Sequence, residues 1–355
     1  MELESLTSGA DRRTLSRLLS ILDNDCHPLH TTFSKQKSMF SDRLLSLSCR
    51  THFGYIPALI DTPPAAAFSI SGLNESKENK NVIFAFSLQG YIFTLFLNLT
   101  IIITISLEKD LHQPMYIFLC NLCINALYGT LGLYPKFLYD LLSDTQNFSY
   151  IGCLLQNFVI LSYALCEFTN LTVMAFDRYV AICRPLHYHT IITPVTTGKL
   201  LVFIWMVPCC SVVCSILLIV RVPFCGININ AVYCKFVICS GDSIFFAYNA
   251  AVTFIYLAMA MFVIYSYVKI LYACRKSKQS QSKFIQTCLP HLISYINYIV
   301  VTLFEAFSTY FSRRDIPDWF NIVMSMAFLV TPPVVNPIIY GMNLRPIRTR
   351  IRKML

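Results

Sequence analysis

From about residue 82 onward the chain alternates between long apolar runs and short polar connectors. Seven runs reach the roughly 20 residues that a helix needs to cross a bilayer. They are read as 82–106, 115–142, 156–182, 200–220, 243–272, 284–311 and 319–342. Several exceed that length, so tilt or extension beyond the hydrocarbon is expected. After the last run, Leu344, Ile347, Ile351 and Leu355 recur every three or four residues among Arg345, Arg348, Arg350, Arg352 and Lys353. That spacing predicts a short amphipathic helix lying on the anionic inner leaflet, which makes membrane lipid an expected partner. The fold class expected is an all-α membrane protein: a seven-transmembrane helix bundle followed by that helix.

Residues 1–70 break the pattern, being polar, charged and interrupted by Pro57, Pro63 and Pro64. Leu15, Leu18, Leu19 and Leu22 could line a short helix, yet no apolar core there is long enough for a secretory signal. The expected division is a disordered extracellular tail or gene-model artefact over 1–70, the bundle over 71–342, and the cytoplasmic helix over 343–355. The first span serves as the insertion signal.

Composition agrees with the pattern. The 355 residues are 55% hydrophobic and only 13% charged, against about 25% charged in a soluble domain; mean hydropathy is +0.57. The formal charge of +9 sits in short clusters without interleaved aromatics, which excludes a nucleic-acid face. Near the membrane, fourteen Lys and Arg fall on the side holding Arg178, Lys269 and the C-terminal basic run, against seven on the side holding Lys136 and Arg221. The positive-inside rule then places the C-terminus in the cytoplasm and the N-terminus outside. Sequons at Asn74 and Asn147 fall in segments predicted to be extracellular and are the expected glycosylation sites.

Most of the fifteen cysteines lie inside apolar runs, where a thiol packs as a small hydrophobe. No spacing suggests a metal site or a cofactor, and neither His-Glu-x-x-His nor Gly-x-Ser-x-Gly occurs, so an enzyme is not expected. A transporter or channel is the rival reading. It would call for inverted repeats and charged stripes, and no internal repeat pairs the spans.

Two motifs carry candidate chemistry. The third span ends in Met174-Ala175-Phe176-Asp177-Arg178-Tyr179-Val180-Ala181-Ile182-Cys183, where an acid beside an arginine can form a switch, or the arginine can simply snorkel. The seventh contains Thr331-Pro332-Pro333-Val334-Val335-Asn336-Pro337-Ile338-Ile339-Tyr340, a proline hinge with polar groups able to satisfy freed backbone.

Taken together with four further stretches, these motifs resemble the rhodopsin-like G-protein-coupled receptors and, among them, the odorant receptors. The other stretches are Asn98; Leu111-His112-Gln113-Pro114-Met115-Tyr116; Ser266-Tyr267; and Lys283-Phe284…Thr287-Cys288…His291. Leu127-Tyr128-Gly129-Thr130 and Tyr134-Pro135-Lys136-Phe137 are similar to the bony-fish branch. The resemblance covers residues 71–355.

It implies a plasma-membrane receptor that binds a small-molecule odorant in the bundle, activates a stimulatory, olfactory-type heterotrimeric G protein and raises cyclic AMP. Arg178 would contact the G protein, with Asp177 as its resting partner and Tyr179 beside them. Tyr267 and Tyr340 would support the open state, and Lys283, His291, Asn336 and Pro337 belong to the activation region. Cys153 would bridge to Cys234, and Cys225 to Cys239. Assembly as a homo- or hetero-dimer is left open. So is the alternative that this is a non-functional odorant receptor-like chain.

The family's usual acid in the second span is replaced by Ala126, while the third-span acid, Glu167, is retained. A sodium ion at Glu167 is therefore expected to bind weakly, with reduced sodium sensitivity or raised basal activity. The aromatic turn usual in span six is missing, with Tyr298-Ile299 near its place. Counting turns inward, the pocket would be lined by Ile160, Leu161, Ala164 and Leu165, by Tyr248, Ala251, Val252 and Ile255, and by Thr302 and Ala306. Such a mainly apolar lining suits a neutral or weakly polar ligand. Glu305 is expected at the outer interface. Ser277, Ser280 and Ser282 are preferred over Thr349 as phosphorylation sites.

Overall fold

Each apolar run becomes one helix, because in lipid the backbone can satisfy its N–H and C=O groups only internally. The structure, a computed structural model, describes residues 68–69, 77–143, 147–221, 224–228, 233–238, 243–275, 278–311 and 318–354. All of them belong to one compact unit, residues 65–355. The helices are α1 (Lys77–Leu107), α2 (Pro114–Leu142), α3 (Tyr150–Cys183), α4 (Pro194–Ile219), α5 (Ser243–Cys274), α6 (Lys278–Phe311), α7 (Asp318–Asn343) and α8 (Arg345–Met354). The first seven each contain a stretch long and apolar enough to span a membrane. The expectations for residues 1–67, Asn74 and Cys239 lie outside the described residues.

Four helices, α1, α3, α4 and α6, start five or six residues earlier than the apolar runs suggest, and for α3 and α4 the reason is capping. Ser149 accepts a hydrogen bond from Gly152 N at 3.0 Å and so starts α3 six residues before position 156. Thr193 accepts from Thr196 N at 3.1 Å, and Pro194 occupies the first turn of α4, where its missing N–H costs nothing. Both caps lie in polar sequence that hydropathy ignores.

The bundle is organised around α3, which packs against α2, α4, α5 and α6, while α7 closes the ring onto α6, α1 and α2. The α2–α3 approach is tight because Gly129 faces Tyr163: a Cβ at 129 would lie 2.5 Å from Cγ and 2.8 Å from Cε2 of that ring. Tyr163 is fully buried and cannot withdraw. By contrast α4 buries few residues and presents Val202, Met206, Val213 and Leu217 outward, as lipid requires.

The all-α expectation needs one addition, two short antiparallel ladders outside the spans. β1 (Phe68–Ser69) pairs with β2 (Asn147–Phe148), so the segment expected to be a separate tail joins the fold at its last residues. β3 (Phe224–Asn228) and β4 (Lys235–Ile238) form a hairpin between α4 and α5. Asn147 and Cys225 sit on strands β2 and β3.

Candidate functional site

Buried polar side chains are costly in a membrane bundle unless each finds a partner, and here they tie α3 to its neighbours at three levels. At the level nearest the β3–β4 hairpin, Cys153 is joined to Cys234 by a disulfide with a Cα–Cα distance of 5.5 Å. The bridge does not act alone. Cys234 N donates to Gln156 Oε1 at 3.0 Å, and Asn157 Nδ2 donates to Cys234 O at 2.8 Å. Gln156 Nε2 also reaches Gly132 O on α2 at 3.0 Å. Beside it, Tyr233 OH donates to Glu305 Oε1 at 2.7 Å, and Ser325 Oγ donates to Glu305 Oε2 at 3.1 Å. This loop is thus fastened to α3 and α6, and Glu305 carries the tie on to α7. Burial, and then the facing Glu305 carboxylate, hold the Tyr233 phenol well above its ordinary pKa.

Glu305 qualifies the sequence-based expectation. It lies one residue from the end of its span, as expected, but it is 7% exposed and buried among three elements rather than open to water. A carboxylate near the end of a span ordinarily reaches water, but Tyr233 closes over this one.

The middle level centres on Glu167, 1% exposed. Asn125 Nδ2 on α2 donates to its Oε2 at 2.9 Å, and Asn336 Nδ2 on α7 donates to its Oε1 at 2.6 Å. Loss of the second-span acid at Ala126 therefore does not leave Glu167 without a partner, because the preceding residue supplies an amide. Asn125 Nδ2 also lies 3.1 Å from Tyr163 O. The α7 hinge is repaired from α1. Pro337 has no N–H, which frees the carbonyl four residues back, and Asn98 Nδ2 donates to that carbonyl, Pro333 O, at 2.8 Å.

Between these levels, Phe168, Tyr256, Tyr295 and Tyr298 bring aromatic rings from α3, α5 and α6 within 5.6–6.0 Å of the Phe168 ring. Tyr298 OH donates to Ala164 O at 2.8 Å. This cluster stands where the usual span-six aromatic turn is absent.

The third level joins α3, α5 and α6. His291 Nε2 lies 2.9 Å from Leu171 O. A carbonyl can only accept, so Nε2 carries the proton, Nδ1 is the acceptor, and Tyr267 OH donates to it. About two turns further along α3, Arg178 binds its neighbour Asp177, with Nε 2.9 Å from Oδ2. Tyr188 OH, in the connector after α3, donates to Asp177 Oδ1 at 2.8 Å. Burial, then the Asp177 carboxylate, raise the Tyr188 pKa above its ordinary value. Tyr179 is half-buried with its ring 6.3 Å from that of Tyr265. Tyr340 is fully buried on α7, and Lys283 lies in α6 before His291.

The expected pocket lining is only partly gathered. Ile160 and Ala164 are buried, Leu165, Tyr248, Val252 and Thr302 are half-buried, and Leu161, Ala251, Ile255 and Ala306 are exposed. The exposed four are not packed into the bundle core. On α5 the inward stripe runs through Phe245, Val252, Tyr256, Val263 and Tyr267, about 100° from Ala251 and Ile255. Tyr248 points to α4, donating to Ser211 O at 2.9 Å. A cavity of about 430 Å³ does open between α2 and α3, lined by Leu131, Pro135, Lys136, Leu155, Gln156 and Val159, and it includes none of the expected residues. Among the described residues no three His, Cys, Asp or Glu side chains gather as metal ligands.

A bundle whose buried polar bonds act as ties between otherwise greasy helices is that of a seven-helix receptor of the G-protein-coupled class. Comparison with known proteins narrows this. The family described as olfactory receptor matches residues 86–355. Human (Homo sapiens) olfactory receptor 6N1 is 33% identical over 306 residues, covering 82% of this chain and 95% of the relative. Olfactory receptor 1D2 of Pongo pygmaeus is 32% identical over 300 residues, covering 81% and 94%. Olfactory receptor 4M1 of Mus musculus is 32% identical over 300 residues, with 81% and 94% covered. The chain belongs to the olfactory receptor family; it is a multi-pass plasma-membrane protein and not an enzyme.

Proposed function

We propose that the protein binds a small, neutral or weakly polar odorant within the bundle and responds by activating a stimulatory, olfactory-type heterotrimeric G protein, which raises cyclic AMP. The N-terminus lies outside the cell and the C-terminus in the cytoplasm, as the basic residues favour. The observation that carries the reading is the pair of ties at one end of the bundle. Arg178 is held by Asp177, itself held by Tyr188, and Tyr267 is held by His291. Those three bonds occupy the groups that would have to turn toward a G protein, so the arrangement is a resting state.

An odorant acts by its differential affinity for the two states. Ile160, Ala164 and Val252, with Tyr256 and Tyr298 below them, mark where it enters, under the loop that Tyr233 and Cys234 pin. Asp177, Arg178 and Tyr188 form the coupling face, and Asn336, Pro337 and Tyr340 the hinge.

The test is cyclic AMP in cells expressing the surface-verified receptor, challenged with water-soluble and volatile odorants beside an Arg178→Ala control. A dose-dependent rise abolished in the control supports the reading. A surface-expressed protein silent across a wide panel, with no basal signal, would favour a non-functional receptor-like chain, and ion flux without nucleotide signalling would favour a channel.

A further inference from the structure

The cleft of about 430 Å³ between α2 and α3 takes no part in the ties or the pocket described above. It opens at the side of the bundle, past Leu131 and Leu155, which are 60% and 61% exposed and face lipid. Gly132 and Gly152 line it without side chains, which leaves the space. Its volume is that of a small-molecule pocket, which runs from about 300 to 1,000 Å³.

One wall carries a polar group in need of a partner. Pro135 stands inside α2. Having no N–H, it leaves the carbonyl four residues back, Leu131 O, without its helical donor. Leu131 and Pro135 both line the cleft, and a helix carbonyl points along the axis toward the residue four ahead, so Leu131 O lies on the wall between them. In α7, Asn98 repairs the equivalent gap at Pro333 O. Beside α2 the neighbour is hydrocarbon, which has no donor to offer. At the rim, Lys136 is already ion-paired with Asp140, so an anionic headgroup meets a neutralised charge. On the inner side, Gln156 engages Gly132 O through Nε2 and Cys234 N through Oε1. The cleft therefore calls for a hydrogen-bond donor on an uncharged, apolar body.

We propose that this cleft is a second ligand site, which takes from the membrane a small neutral alcohol or phenol whose O–H donates to Leu131 O. The hydrogen-bond inventory selects the occupant. A phosphatidylcholine headgroup has no donor, and aldehydes, ketones and esters carry acceptors alone, so all of these leave Leu131 O unmet. A hydroxyl supplies the missing donor, and its apolar body fills the space beside Pro135, Leu155 and Val159. The occupant also packs against Gln156, which joins α2 and the loop cysteine to α3, so it bears on the anchorage of the loop pinned by Cys234. The site is separate from the one proposed for the odorant, and its test needs no signalling.

The purified receptor in phosphatidylcholine nanodiscs would be photolabelled with a diazirine-bearing octanol, and the labelled residues mapped by mass spectrometry. The expected label concentrates in residues 131–136 and 152–159, saturates, and is displaced by unlabelled octanol but not by octanal. Pro135→Ala returns an N–H to Leu131 O and leaves the space open. It should weaken labelling about three- to tenfold, the worth of one neutral hydrogen bond. Leu155→Trp, made on the lipid-exposed side, should abolish labelling by filling the cleft, and thermal melts check that both variants fold. Label spread evenly over lipid-facing residues, displacement by octanal as effective as by octanol, or a folded Pro135→Ala receptor labelled like the parent would overturn the proposal. Displacement by cholesterol and not by octanol would give the cleft to a sterol and overturn it as well.

Discussion

Replacing Glu167 tests whether the polar centre of the bundle is a structural tie or a vacated ion site. In Glu167→Ala, the amides of Asn125 and Asn336 lose their acceptors at 2.9 and 2.6 Å. Each stranded buried donor costs about 1–3 kcal/mol, so the two together cost roughly 2–6 kcal/mol. Glu167→Gln keeps one acceptor oxygen. The second bond can be remade if Asn336 turns its amide over, since Asn336 Oδ1 has no other partner and Nδ2 bonds only Glu167. Asn125 cannot turn as cheaply, because its Nδ2 also serves Tyr163 O. The glutamine variant therefore exchanges charge-assisted bonds for neutral ones, a cost of about 1–2 kcal/mol.

Scaled as for a domain of 150–250 residues, where 1 kcal/mol moves Tm by about 2–4 °C, alanine should lower the melting temperature by roughly 5–20 °C and glutamine by under about 8 °C. Because the bond to Asn336 spans α3 and the α7 hinge, loosening it by about 1.4 kcal/mol in the resting state alone raises the active fraction about tenfold. Thermal unfolding in nanodiscs and ligand-free cyclic AMP, normalised to surface expression, measure the two effects. If glutamine proves as damaging as alanine, or if neither variant changes basal signalling, the account of Glu167 as an amide-held tie between α3 and α7 is wrong.

Other outcomes follow from the same structure. Gly129→Ala should lose about 1–3 kcal/mol through its clash with Tyr163, while Gly198→Ala, with nothing within 4 Å of the added Cβ, should gain about 0.5–1 kcal/mol; thermal melts that fail to separate the two would discredit the tight α2–α3 approach. Replacing sodium by choline should shift agonist potency by less than about twofold, since an amide already lies on each oxygen of Glu167, and a shift of tenfold in a concentration–response curve would argue for an ion there. Asn98→Ala should strand Pro333 O and cost about 1–3 kcal/mol, visible as a lower melting temperature; an unchanged melt would mean that the hinge carbonyl finds another donor. Tyr233→Phe should speed hydrogen exchange at residues 233–238 several-fold by releasing the bond to Glu305, and unaltered exchange would assign the pinning of that loop to the disulfide and Gln156 alone.

The spans were legible because lipid imposes one demand, an apolar run of sufficient length, and hydropathy reports that demand directly. It reports nothing about the helix beyond the lipid, which is why the starts of α3 and α4 at Ser149 and Thr193 escaped a reading based on apolar runs. The switch residues were legible as motifs. Apart from Asp177 beside Arg178, their partners were not. Tyr188 reaches Asp177 across 11 residues, while His291 reaches Leu171 across 120 and Tyr233 reaches Glu305 across 72. Only tertiary folding brings the latter two pairs together. Asn125 could have been suspected, as a polar residue adjoining the position where the family's acid is missing. The pocket face of α5 could not. Its polar residues there do not single out the inward stripe, since Asn249 is half-buried and Thr253 exposed, and counting from Tyr248 selected Ala251 and Ile255, one position off that stripe.

The two bonds from α6 to α3 suggest how these pieces combine. The donors, Tyr298 and His291, are seven residues apart on α6, and the acceptors, Ala164 and Leu171, are seven residues apart on α3. The two helices run in opposite directions, so the bonds form two rungs separated by about 10 Å, at 1.5 Å of rise per residue. A rigid α6 that swings away from α3 at the Arg178 end breaks the His291 rung first and can keep the Tyr298 rung as its pivot. Breaking the first rung would carry His291 away from Leu171 and clear space beside Arg178. The pivot, meanwhile, belongs to the aromatic cluster under the pinned loop, against which a bound odorant would press. Movement at the two ends of α6 would then be coupled as in a lever. Tyr298, lying off the family's usual aromatic turn, would supply the fulcrum through its bond to the α3 backbone.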